Sequence, residues 1–199
     1  MKELIRIEGY VDIFQWDQRK YRHPFHVPWK ERIYYVRNAR NVIVENLAKF
    51  IIANLLSETL TWVNTGGTER TLAEAWYWHC DGSKDWDGPE LGRDTSTPTT
   101  RDMYQLVDPI NVTRDSFLKT YAVSANEAYV TITNTWNAGK ITDTIGEVGL
   151  LGHAARPSAV GPVWEPALLA RLASADGAFK PFTPDPTYAL TVSYKLRFW

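Results

Sequence analysis

Apolar and polar positions alternate most regularly near the C-terminal end of the chain. Leu190, Val192, Tyr194, Leu196 and Phe198 fall on one face, and Thr191, Ser193, Lys195 and Arg197 on the other. Period two over nine residues marks a strand with one face buried and one wet. Such a strand needs neighbours in a sheet, because an unpaired apolar edge frays or aggregates. Two further apolar pieces precede it, residues 141–151 and 168–172, and the three together predict the central strands of a β-sandwich. Residues 117–124 and 128–136 flank Ala125-Asn126-Glu127 at hairpin spacing. Residues 1–14 alternate in part, with Gly9 as a candidate bulge. Residues 59–63 read as a short strand closed by the Gly66-Gly67 turn, and residues 71–80 as a strand covered on both faces. Residues 81–100 and 152–166 read as loops. One segment has another period: Val44, Leu47, Ala48, Ile51, Ile52 and Leu55 line one face of a helix over residues 41–56. Its β-branched content means that packing must hold it.

The pattern predicts a mainly β fold, an antiparallel, jelly-roll-like β-sandwich with one main helix in the N-terminal half. It divides the chain into residues 1–40, an N-terminal strand and extended basic arm, and residues 41–199, the sandwich with helix 41–56. The 199 residues suffice for a substantial core.

Charge changes the picture locally rather than globally. The formal net charge is -1, which gives no global case for a nucleic-acid or membrane partner. Residues 1–40 nevertheless hold nine basic residues against five acidic, whereas residues 81–108 hold seven acidic against three basic. A basic arm and an acidic loop on one chain suit heterologous contact between copies. Aromatic content is the other departure, with nine Trp, ten Tyr and seven Phe, which favours strands and large contact surfaces. Cys80 is the one cysteine, so no intrachain disulfide forms. The charged, strand-like start, unlike a signal peptide, leads to an expectation of synthesis in a reducing cytoplasm.

Candidate chemistry is sparse, and the expectation is that the protein is no enzyme, with no cofactor, no metal and no catalytic residues. His23 and His26 have a metal-site spacing, but Pro24 prevents a regular helix through them and partner ligands are lacking. His79-Cys80-Asp81 fits a strand end with a buried thiol better than a metal site. Asp85-x-Asp87-Gly88 has part of a calcium loop, yet the twelfth positions from Asp81 and Asp85 are Gly92 and Ser96, not the required carboxylate. Nucleophile-elbow and Walker motifs are absent. Glu147 is the one carboxylate inside an apolar strand. Without a second placed carboxylate it reads as an acceptor for a nearby loop, or as partner to an arginine such as Arg171. Trp76, Trp78, Trp86, Trp136 and Trp164 allow a rival reading, a carbohydrate-binding module with a host glycan as ligand, in which Trp86 is the exposed candidate.

The order of the pieces resembles a group of tailed-bacteriophage virion proteins. The helix at 41–56 precedes an apolar strand ending in Asp81-Gly82 and a loop bearing Pro89 and Asp94-Thr95. A strand pair follows, then Ile145-Gly-Glu147-Val-Gly149-Leu150-Leu151, then Leu168-Leu-Ala-Arg171, and a final strand after Phe179-Lys-Pro-Phe182. The family motif reads roughly Ile-Thr-Glu-x-Gly-Leu-Phe, and relatives are capsid decoration proteins and attachment domains of tail fibres. Leu151 stands where Phe is usual, and residues 1–40 fall outside the match. The resemblance implies a non-enzymatic structural protein of the virion that decorates or cements the capsid, or else a tail or baseplate attachment protein. Expected partners are copies of itself, as dimer or trimer, and neighbours such as the major capsid protein. The motif residues Ile145, Glu147, Gly149 and Leu150, with Arg171, are the expected structural centre. Trp16, Arg19, Arg22, Trp29, Arg32, Trp86, Trp164 and Trp199 are the interface candidates.

Overall fold

Two antiparallel sheets face each other in the computed structural model, which describes residues 7–56, 60–71, 78–124, 126–156 and 163–199. In chain order the elements are β1 (Ile7–Trp16), β2 (Ile33–Arg40), β3 (Val42–Ile43), α1 (Glu45–Leu56), β4 (Thr61–Val63), β5 (Glu69–Thr71), β6 (Trp78–His79), β7 (Gly88–Gly92), β8 (Ser116–Val123), β9 (Ala128–Trp136), β10 (Glu147–Arg156), β11 (Val163–Ala173) and β12 (Ala189–Phe198). The first sheet runs β2-β1-β12-β9-β8. The second runs β3-β11-β10, and β6 and β7 share the remaining edge of β10 at different heights, while β4 and β5 form a separate ribbon. This is the mainly β, jelly-roll-like sandwich with one main helix that the pattern predicts.

Strand β12 is central to the first sheet, bonded to β1 along one side and β9 along the other. Val192, Tyr194 and Leu196 meet Val11, Ile13, Ile132 and Trp136 in the core, opposite Val148, Leu150 and Leu172 of the second sheet. The Tyr194 hydroxyl reaches across and donates to the carbonyl of Val148 at 2.8 Å, so the one polar side-chain atom that β12 itself turns inward is satisfied. On the reverse face, hydroxyls pair across strands, Thr135 with Thr191 and Thr133 with Ser193, each at 3.0 Å.

Several expectations need correction. The helix begins at Glu45 rather than 41, because Val42 and Ile43 pair with Arg171 and Ala170 of β11. The sandwich is not confined to residues 41–199: β1 lies between β2 and β12, so Ile7–Trp16 and Ile33–Arg40 belong to the first sheet. Gly9 carries no bulge; the shifts of register against β2 lie between Val11 and Phe14. Gly9 is instead a close approach, since a methyl there would overlap the Asn41 side chain. Inside 81–100, the stretch Gly88–Gly92 is a strand against Glu147–Leu151, and an edge position tolerates its proline. Inside 152–166, β10 continues to Arg156 and β11 starts at Val163. Gly152, Ala154, Ala155 and Ala167 are all buried, and such small side chains give no alternating signal. The strand expected at 71–80 falls mostly on residues 72–77, outside those described.

Candidate functional site

The loop 93–115 crosses the outer face of the second sheet, and the Glu147–Arg171 pair holds it there. Along β10, Val148 and Leu150 point into the sandwich, which puts Glu147 and Gly149 on the outer face. On β11 a register shift opposite Leu150–Leu151 brings Leu168 and Arg171 to one face although they stand three positions apart, an odd offset. Arg171 Nε donates to Glu147 Oε2 at 2.7 Å, and both side chains are completely buried. Glu147 also accepts the backbone N–H groups of Val107 and Asp108, at 3.2 and 2.8 Å. Arg171 Nη1 donates to the Thr97 carbonyl and Thr99 Oγ1, and Nη2 to Asp94 Oδ2. Every strong donor and acceptor in the group is therefore answered, as burial of charge demands. Gly146 is needed for the same closure, because a methyl there would strike the Asp94 carbonyl. Ile145 and Leu150 are core, Ile145 bonded through its backbone to Phe182, and Gly149 admits Leu106 and Leu168 above the strand. A carboxylate so engaged is a structural anchor rather than an acid or base.

The interface candidates divide sharply. The basic stretch read as an arm is the connection between β1 and β2, and it folds over the outer face of the first sheet. Val27 packs with Phe14, Trp16 and Ala189. Trp16 is core there, donating from Nε1 to Thr191 Oγ1 at 2.9 Å. Arg32 is also spent internally: it donates to the carbonyls of Val27 and Pro24 and lies over the Phe14 ring. Arg19 is exposed but forked onto Asp17. Arg22 and Lys30 are exposed, and neither has an acidic partner among the described residues. Phe25, Trp29 and Ile33 remain open to solvent, Trp29 at 62%. Trp199 is exposed at the end of the chain, under the Arg197 guanidinium.

Trp86 and Trp164 belong to the second sheet's outer side. Trp164 sets its edge against the stacked rings of His79 and His153. Beneath them His153 Nδ1 pairs with Asp87 Oδ1 at 2.7 Å, both buried. Asp81, Asp87 and His153 place one ligand atom each within 4.8 Å of one another, a set able to meet a divalent cation. Asp87 is already engaged, however, taking the N–H groups of Gly82 and Lys84 as the cap of a turn. The neighbouring Cys80 thiol donates to the Leu151 carbonyl, and burial pushes it well above the ordinary thiol range, so it stays protonated.

Trp86 borders a cavity of about 260 Å³ with Glu90 of β7, Gln105, Leu106, Pro109, Ile110 and Asn111 of the crossing loop, Thr65 of the β4–β5 turn, and Leu151 and Pro166. Glu90 has no hydrogen bond or ion pair among the described residues. Burial pushes its carboxyl up to about 8. The nearby Arg114 does not reach it, since its guanidinium is committed to the carbonyls of Gly82, Lys84 and Asp85. The Trp86 indole N–H is likewise buried without a partner. Sequence reasoning singled out Trp86 but missed Glu90. The available signal was a carboxylate between Pro89 and Leu91 in a segment flanked by glycines. Searches of protein-family models, curated proteins and solved structures found no match to this chain.

Proposed function

We propose that the protein is a non-enzymatic structural subunit of a tailed phage particle, a capsid decoration or minor head protein that stabilises joints between neighbouring subunits. The observation that carries this reading is the 17–32 connection with the start of β2. It presents Phe25, Trp29 and Ile33 to solvent beside the cations of Arg22 and Lys30. Large apolar side chains among exposed cations, Lys30 lying over the Trp29 ring, on a segment pinned by Val27 and Arg32, are suited to a rigid contact with another protein. The order of the motif pieces supports the phage assignment. The buried Glu147–Arg171 group supports the structural part, because it ties the motif carboxylate to a cation and two backbone amides that hold a loop on the sheet. Decoration proteins act by covering seams, and each covered seam adds stability to the shell by mass action.

The test is the location of the chain in an electron-microscopy map of intact particles. Density for the sandwich at a fixed lattice position on the head, with the 17–32 connection against a neighbour, is the expected result. Density at the tail or baseplate would move the reading to the attachment class. Particles that contain no copy of the chain would overturn it.

A further inference from the structure

The cavity beneath Trp86 is built as if to receive a positive charge, and no cation is among the residues that line it. Its walls are mostly apolar, from Leu106, Pro109, Ile110, Leu151 and Pro166. Trp86, Glu90, Gln105 and Asn111 share the lining with them. At about 30 Å³ per water, the space corresponds to some nine waters, enough for the stem and head of one long side chain. Methylenes would lie against the apolar wall, the cationic head would meet an aromatic face, and the charge would end at a carboxylate.

We propose that this cavity is a socket for one basic side chain of a second copy of the chain, offered by the 17–32 connection. The proposal rests on the structural reading above and names the contact through which copies join. Charge complementarity selects the occupant. The connection lies in a stretch with nine basic and five acidic residues, and the cavity takes four of its ten lining residues, Glu90 among them, from a stretch with seven acidic and three basic. Within the connection, Arg22 and Lys30 are the exposed cations without an acidic partner among the described residues, and Phe25, Trp29 and Ile33 on the same segment would cover the mouth. The two surfaces are different: the connection packs on the outer face of the first sheet, and the cavity opens on the outer side of the second. The contact is therefore heterologous, and it closes a ring such as a trimer or extends a row, unlike a two-fold dimer. Burial that holds the Glu90 carboxyl neutral up to about pH 8 adds a further feature, since an arriving cation draws the proton off and association strengthens as pH rises.

The experiment mixes equal amounts of 15N-labelled and unlabelled full chain and treats them with a zero-length carbodiimide, which couples carboxyls to lysine amines. Mass spectrometry then reads the linked peptides, and sedimentation compares wild type with Glu90→Gln and with Arg22→Ala/Lys30→Ala. The expected result is a Lys30–Glu90 link of mixed isotope content. Association should weaken at least tenfold in both variants while their circular dichroism stays native. A chain that remains monomeric, a Glu90 link confined to one isotope, or a Glu90→Gln protein that associates like wild type would each overturn the socket. If particles contain the chain and Glu90→Gln enters them normally, the socket fails and the structural reading stands. If the mixed link forms but particles lack the chain, the structural reading fails and the socket stands.

Discussion

Replacing Glu90 by Gln should stabilise the isolated chain, and the gain should grow with pH. Burial, only partly offset by the nearby Arg114 charge, holds the folded carboxyl at about 8, against an ordinary value of 4.5. Between those two values the unfolded chain has released a proton that the folded chain still holds. The unfolded state therefore binds fewer protons, and wild-type stability falls as pH rises from 4.5 toward 8. At 1.36 kcal/mol per tenfold change in proton activity, the full effect is about 3 kcal/mol at pH 7 and above 4 kcal/mol past pH 8. Water that reaches the carboxyl through the cavity mouth reduces this, so the working range at pH 7 is about 1.5–3 kcal/mol. Gln carries no charge and loses no partner, so the variant lacks this slope. Urea unfolding of both proteins from pH 4 to 8.5, followed by tryptophan fluorescence at concentrations where neither associates, gives the difference directly. Titrations common to the two proteins cancel. A difference that stays flat across this range, or a variant less stable than wild type at pH 8, would refute the reasoning. A chain that keeps so costly a carboxyl is giving up stability for something other than its own fold.

Other substitutions probe the anchor, the packing and the exposed surface. Arg171→Met should cost about 3–5 kcal/mol in urea unfolding, because it leaves the buried Glu147 charge unpaired, and adding Glu147→Leu should recover a large part of the loss. Gly9→Ala should lose about 1–3 kcal/mol through overlap with Asn41, and Asn41→Ala should relieve it in the double variant, as measured by thermal unfolding. Trp29 is 62% exposed, so covering it removes roughly 100–150 Å² from water, worth about 3 kcal/mol. Trp29→Ala should therefore weaken association on the order of a hundredfold in sedimentation while leaving the unfolding midpoint where it was.

What could be read in the sequence was what is encoded locally. The period of β12, the β8–β9 hairpin and the stripe of α1 each state their own geometry within a dozen residues. Charge placement was also legible: a lone carboxylate in one apolar strand and a lone arginine in the next have little to meet but each other or a covering loop, and here they meet both. Strand β7 was not legible, because two glycines and a proline oppose strand formation locally and the edge of β10 overrides them. Nor did composition tell where aromatic residues go. Trp16, Trp62 and Trp136 are buried, whereas Trp29 stands in solvent, and it was the connection's fold over Phe14 that decided between Trp16 and Trp29.

The cavity was beyond local reading for a further reason, which ties the anchor to the site. Its lining comes from the β4–β5 turn, the Trp86 turn, β7, the crossing loop and both central strands of the second sheet. Gln105 through Asn111 reach that position because Glu147 grips the amides of Val107 and Asp108 and because Ile110 and Arg93 donate backbone bonds to Leu91 and Asp108. The buried ion pair is thus the post on which one wall of the socket hangs. It follows that Arg171→Met should act at a distance on Glu90. As the crossing loop loosens, water enters and the carboxyl returns toward its ordinary value. The pH-dependent stability difference that Glu90→Gln produces then shrinks. If that difference instead persists undiminished in an Arg171→Met background that still folds, the loop is held by its backbone pairing with β7 alone, and the ion pair serves the sheet and not the cavity.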